Sequence, residues 1–143
     1  MDSSAEVRTG RTLHPGSGSG RVLRLDLPLS FWGGVDAGGT VVDRHHPQVG
    51  AVVTGRVLAM TSGRGSSSSS SVLAELLRSG AGPAAVLLTE PDAVVALGAI
   101  VAEELYALRV PVVLVGAGTF EALRDGEAMT VEAGPVSARL LPG

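Results

Sequence analysis

The sequence predicts a single α/β domain, with strands gathered in the first half and strands alternating with helices in the second. Three observations predict it. A chain of 143 residues, 45% of them apolar, fits one domain and can bury a core without disulfides or metals. Up to about residue 60, short apolar runs of strand length are separated by Gly/Pro turns. From Val72 onward the apolar spacing becomes helical, and helix-length segments alternate with short apolar strands.

In chain order, residues 1–14 read as a mobile N-terminal tail and 15–143 as the domain. Residues 15–20, Pro-Gly-Ser-Gly-Ser-Gly, read as a flexible turn. Residues 21–26 alternate polar and apolar as a half-buried strand does, and Pro28 ends it. A loop over 29–36 carries Phe31 and the only Trp, Trp32, beside Gly33-Gly34. Short strands follow at 40–42, 51–53 and 56–60, separated by turns at Gly38-Gly39 and 46–50. Val72, Leu73, Leu76 and Leu77 mark a helix that Gly80 ends. A strand over 84–88 precedes Asp92, placed to cap a helix over 93–106 that is apolar almost all round and therefore largely buried. A strand over 110–115, a short helix over 119–124, a turn at Asp125-Gly126 and a last pairing segment at 129–131 complete the reading.

Composition excludes several functions. The net charge is −3 and all 11 basic residues are Arg, scattered singly, so no basic stripe offers itself to nucleic acid. The absence of Lys reads as a bias of a GC-rich genome. Without cysteine the chain can hold neither a disulfide nor a thiolate-ligated cluster. His14, His45 and His46 lack the spaced partners of a zinc site, so no metal is expected on this chain alone. The polar N-terminus shows no signal peptide, and no apolar run approaches the roughly 18–20 residues of a membrane span. The expectation is a cytoplasmic protein.

Chemistry concentrates in residues 63–71, Gly-Arg-Gly followed by six serines, directly before the helix. A Gly/Ser run alone reads as a linker. Between a strand and an amphipathic helix it has another use: the helix N-terminus offers unpaired N–H groups and the positive end of its dipole. That end suits a carboxylate or phosphate, and it would also stabilise a serine alkoxide acting as a base. Phe31, Trp32, Gly33 and Gly34 form either a core plug or a surface for partner or substrate. His46, held extended before Pro47, is a turn residue or part of that surface. A Ser66–His46–Asp43 hydrolase is a formal alternative, but Gly65-Ser66-Ser67 lacks the second glycine of a Gly-x-Ser-x-Gly elbow.

Taken together, Pro28-Leu29-Ser30-Phe31-Trp32-Gly33-Gly34-Val35-Asp36, His46-Pro47 with Gly50, Gly63-Arg64-Gly65-Ser66-Ser67-Ser68, and the segment from Leu97 to Tyr106 resemble the small subunit of aconitase X over about residues 20–115. The resemblance implies a swivelling β/β/α domain like the mobile domain of aconitases, and a heterodimer with a large catalytic subunit that carries an iron–sulfur cluster. It implies a hydro-lyase active only with that subunit. Ser66 would be the proton-accepting residue, with Arg64, Gly65 and Ser67 binding the substrate's acidic group. Ala37 and Thr61-Ser62 stand where the family commonly has proline, and Ser68 stands where aconitases proper have an arginine. The substrate class is a small hydroxy acid. Cis-3-hydroxy-L-proline is favoured by the Arg-only composition, mevalonate 5-phosphate is the alternative, and a non-catalytic scaffold or regulatory module is the reading from another class.

Overall fold

The computed structural model describes residues 7–64 and 68–143. Among them the strands are β1 (Arg8–His14), β2 (Gly16–Arg24), β3 (Val57–Met60), β4 (Ala85–Leu88), β5 (Val112–Leu114), β6 (Ala128–Ala133) and β7 (Ser137–Pro142). The helices are α1 (Phe31–Gly34), α2 (Ser68–Ser79), α3 (Ala93–Tyr106) and α4 (Ala117–Ala122). The strands close into a barrel in the order β1-β5-β4-β3-β2-β6-β7, with β7 pairing back to β1. Strands β2 to β5 run parallel; the pairs that involve β1, β6 and β7 with their neighbours are antiparallel.

Period two divides the parallel strands between two cores. Val22, Val57, Ala59, Ala85, Leu87 and Val113 point into the barrel, where they meet Met129, Val131, Ala138 and Leu140. Their neighbours Leu23, Leu58, Met60, Val86, Leu88 and Val112 point outward onto Leu73, Leu76 and Leu77 of α2 and Val95, Ala99 and Ala102 of α3. Two β layers and one helical layer result, as expected for a β/β/α domain. Strands covered on both faces read as continuous apolar runs, which is why 84–88 and 110–115 were recognisable without alternation.

Helix α3 has the expected bounds and cap: Asp92 Oδ1 accepts from the N–H groups of Val94 (2.9 Å) and Val95 (3.1 Å). It is not largely buried as expected: one face, with Val95, Gly98, Ala99 and Ala102, packs on the domain, while Leu97, Ile100, Leu105 and Tyr106 are exposed on the other. Gly80, at φ +81°, ends α2 as expected. Four further expectations need correction. Arg8–His14 is not a mobile tail but β1, held between β5 and β7; residues 1–6 lie outside the described set. The Gly/Ser segment after Pro15 is not a turn but the first half of β2, paired with β6 from Gly16↔Ala133 to Arg21↔Ala128. The segments 40–42 and 51–53 make only single bridges, Val35↔Val41 and Thr40↔Val52. Finally, β6 is followed by β7, a strand the sequence reading left unassigned.

The second correction has a steric cause. A methyl group added at Gly18 would overlap the backbone carbonyl of Ala84, and one at Gly20 the carbonyl of Gly55. Glycine stands there because the chain ends entering β4 and β3 pass directly over β2, while Ser17 and Ser19 face solvent. Ser19 Oγ and Thr130 Oγ1, 2.7 Å apart, pair across to β6. Gly18→Ala should therefore lower stability by about 1–3 kcal/mol, the usual cost of overpacking. Ser17→Ala, one residue away but exposed, should stay within about 0.5 kcal/mol. Urea denaturation of the two variants measures both values.

Candidate active site

The parallel strands β2 to β5 end on one side of the barrel, and their C-terminal loops gather there. In doubly wound sheets ligands bind at this side. Two segments, 25–56 and 61–64, meet through a parallel bridge between Leu29 and Gly63, and the Arg64 N–H donates to the Leu29 carbonyl at 3.1 Å. The loops after β3 and β4 are tied as well, since the Thr61 carbonyl accepts from the N–H groups of Thr89 (3.1 Å) and Glu90 (3.0 Å).

Ser66, Gly65 and Ser67 lie outside the described residues. On either side of them the chain is fixed. Arg64 is exposed and its backbone is held at Leu29. Helix α2 starts at Ser68, earlier than the apolar spacing from Val72 suggests. Ser69 and Ser70 are buried because the first turns of α2 lie against α3: a methyl on Gly98 would sit 3.1 Å from the Ser70 carbonyl oxygen and 2.9 Å from Leu73 Cδ2. Only small residues permit that approach, and serine meets the requirement. Ser69 Oγ lies 3.3 Å from Ser30 Oγ and 3.5 Å from the Arg64 carbonyl oxygen, which links the helix start to both neighbouring loops.

A cleft of about 500 Å³ opens beside this junction, lined by Ser30, Trp32, Gly33, Gly34, Asp43, His45 and Arg64. Its shape follows from α1, which is less a helix than a tight turn. Trp32 (φ −84°, ψ 111°) and Gly33 (φ 80°, ψ −15°) have the angles of the two central residues of a type II turn, which favours Gly at the second. Ser30 Oγ donates to the Trp32 carbonyl at 2.9 Å and steadies the turn. The turn sends its two rings in opposite directions: Phe31 is buried with Leu29, Val35, Val41 and Val53, whereas Trp32 is 63% exposed at the mouth of the cleft.

The expected partner or substrate surface of Phe31, Trp32, Gly33, Gly34 and His46 is thus corrected in part. Trp32 and Gly33 are exposed, Gly34 lines the cleft with buried backbone, and the Phe31 side chain belongs to the core. His46 is 4% exposed and structural. Its Nδ1 accepts from the Gln48 N–H (3.0 Å), so Nε2 carries the hydrogen, which it donates to the Leu27 carbonyl (2.9 Å). With both ring nitrogens committed to backbone, His46 cannot serve a serine as base, which removes the hydrolase alternative. Ser30 and His45 are cleft residues that sequence reasoning did not assign to a site; nothing in their spacing sets them apart from ordinary loop residues. The clear pKa displacements lie elsewhere, on the exposed face of α2, where hydrogen bonds between Arg78 and Glu75 hold the carboxyl below and the guanidinium above their ordinary values.

The metal ligand inventory is poor. The chain has no cysteine, and among the described residues no three His, Asp or Glu side chains come together as ligands. An iron–sulfur cluster does not fit this chain. Among the described residues no helix is long and apolar enough to cross a membrane.

His46→Ala should lower the stability of the chain by about 1–3 kcal/mol, because it removes a buried side chain together with its hydrogen bonds to the Leu27 carbonyl and the Gln48 N–H. Thermal and urea unfolding measure the loss, and an unchanged midpoint would return His46 to the candidate surface.

With this geometry in hand, the comparisons are specific. Residues 7–138 match the family described as the aconitase X swivel domain. A cis-3-hydroxy-L-proline dehydratase of Pseudomonas aeruginosa is 54% identical over 113 residues, 78% of this chain and 20% of that protein. The chain spans about a fifth of the length of that dehydratase and of a similarly named one from Hypocrea jecorina, 43% identical over 123 residues. A phosphomevalonate dehydratase small subunit of Methanosarcina acetivorans is 36% identical over 124 residues, which cover 85% of this chain and 82% of that one. Among solved structures, holo aconitase X of Thermococcus kodakaraensis superposes with a TM-score of 0.81 at 30% identity, covering 95% of this chain and 98% of that one. This chain belongs to the aconitase X swivel-domain family.

Proposed function

We propose that this chain is the swivel-domain small subunit of a two-subunit hydro-lyase that dehydrates a small hydroxy acid, cis-3-hydroxy-L-proline. The observation that carries the substrate is the 54% identity to a hydroxyproline dehydratase, against 36% to a phosphomevalonate dehydratase small subunit. The phosphomevalonate reaction is the second reading, favoured by a match that covers 82% of that relative's own length. Four-fifths of the hydroxyproline dehydratase lies outside the match. The corresponding large subunit is where this reading puts the iron–sulfur cluster and most substrate contacts.

In such a reaction the proton on the carbon bearing the carboxylate is removed, and its electron pair forms the new double bond as the carbon–oxygen bond on the neighbouring carbon breaks. The departing hydroxyl takes a proton from an acid, which this reading assigns to the large subunit, and leaves as water. Ser66 Oγ is the proposed acceptor of the carbon-bound proton. The proton is weakly acidic, so the base must be an alkoxide, and an alkoxide requires a positive field. The N-terminus of α2, two residues after Ser66 in the chain, and the guanidinium of Arg64 are the groups on this chain that could supply one. Ser67 and the backbone at Gly65 are proposed to bind the substrate's acidic group. The exposure of Trp32 supports a contact with the large subunit at the mouth of the cleft.

Ser66→Ala in the assembled enzyme should lower kcat by at least about 10²–10⁴, the usual value of a general base, while KM moves little. Ser71→Ala, exposed on α2, is the internal control and should keep most activity. Steady-state kinetics on cis-3-hydroxy-L-proline and on mevalonate 5-phosphate separate the two substrate readings, and retention of activity by Ser66→Ala sinks the base assignment. Trp32→Ala should weaken association with the large subunit by about 2 kcal/mol or more, as loss of an aromatic anchor does. Because the ring is exposed, the melting temperature of the free chain should hardly change. Calorimetric titration of one subunit with the other reads the first quantity and thermal unfolding the second.

A further inference from the structure

The carboxylate of Asp92 makes two separate attachments. Its Oδ1 caps α3 through the N–H groups of Val94 and Val95, while its Oδ2 accepts from the Gly63 N–H at 2.8 Å. Gly63 is the last residue before Arg64, and its backbone is pressed onto α3. A methyl there would stand 2.7 Å from Asp92 Oδ2 and 2.9 Å from Val95 Cγ2. On the other side of the same two residues, Gly63 bridges to Leu29 and the Arg64 N–H donates to the Leu29 carbonyl. An ordinary helix cap needs one acceptor oxygen and no long-range partner. Asp92 uses its second oxygen to hold a chain segment 29 residues away in sequence.

We propose that Asp92 is a positioning residue for the dehydratase reaction: its second carboxylate oxygen fixes the point at which the chain leaves β3, and so sets where the Arg64 side chain and the serine run begin. The inference rests on the proposed active site. Three features make it specific to a carboxylate. Oδ1 is occupied by two donors of α3, so a residue with one acceptor oxygen can cap the helix or hold Gly63 but not both. Gly63 has no side chain to provide another anchor. Leu29 and Ser69 hold Arg64, whereas the bond from Asp92 is the one that ties the Gly63 N–H to α3.

Asp92→Asn and Asp92→Ser test the proposal, because both keep a good capping oxygen while removing the acceptor that faces Gly63. Three readouts are taken on the full chain and on the enzyme assembled with its large subunit. In the chain alone, exchange of the Gly63 amide with solvent should accelerate by about tenfold or more, as for an opened local hydrogen bond. The melting temperature should fall less than that of Asp92→Ala, which loses the cap as well. In the assembled enzyme, kcat should fall about 10–100-fold with KM changed less than about threefold, the signature of misplaced reacting groups. An unchanged Gly63 exchange, or a kcat within about twofold of the parent, overturns the proposal. A kcat that falls only in step with melting temperature across Asn, Ser and Ala variants reduces Asp92 to a helix cap and overturns it too. Should Ser66→Ala stay active, the base assignment fails by itself, while the effect of Asp92 on Gly63 exchange and on kcat is still read independently.

Discussion

Every residue of β3 and β4 is buried, because one face of each strand looks into the barrel and the other lies under α2 and α3. A strand covered on both sides has no surface on which polar chemistry can stand. Its only free groups are at its ends, where the ladder stops and backbone carbonyls and N–H groups need other partners. The candidate site therefore lies beyond Met60 and Leu88. The Thr61 carbonyl takes up the N–H groups of the β4 exit, and Gly63 and Arg64 find their acceptors on Asp92 and Leu29. The polar ends of buried strands are thus satisfied by one another across three loops, and that mutual satisfaction holds the loops in register.

Close approach is the second constraint, and it explains a composition that looks like a linker's. Gly18 and Gly20 let the chain ends entering β3 and β4 cross β2, Gly98 lets α3 meet the first turns of α2, and Gly63 lets the loop stem meet α3. Ser69 and Ser70 face the same requirement from the other side. Small residues here set distances between backbones. In a chain with 3% aromatic content such tight approaches take the place of large side chains in bringing the layers together.

That substitution marks where the sequence was legible and where it was not. The bounds of helix α3 could be read to the residue, because Asp92 before a long apolar run is a local signal. Its burial could not, because an apolar run does not say which face the fold leaves open, and Leu97, Ile100, Leu105 and Tyr106 are exposed. The apolar runs of β3, β4 and β5 were equally plain, since double burial leaves an unbroken hydrophobic stretch. The first half of β2 was misread because its glycines answer to Ala84 and Gly55, partners far away in sequence that no local pattern announces. Strand β1 was lost for a similar reason: its neighbours β5 and β7 lie at the other end of the chain. Within the site, the Phe31-Trp32 pair was recognised as special, but one dipeptide does not say which ring goes in. The type II turn decides it. His46 was ambiguous until its two ring nitrogens were seen to be used by Leu27 and Gln48.

The exposed state of the cleft bears on how the proposed chemistry can work. A helix dipole and a guanidinium stabilise an alkoxide strongly only where water is excluded, because in water the same charges are screened many-fold. Arg64 is exposed here and Trp32 stands 63% exposed at the cleft mouth, so this surface by itself is wet. Its fixed parts, the Asp92 and Leu29 anchors of the stem and the small-residue seam between α2 and α3, leave little room for the described walls to fold inward over a substrate. Water must then be displaced by a second body brought against the open side, and a large subunit meeting Trp32 would do so. On the proposed reading, a rigid stem and an open cleft suit a domain that moves as a unit. The proposed base, Ser66, would then become effective only when the partner surface excludes water from it.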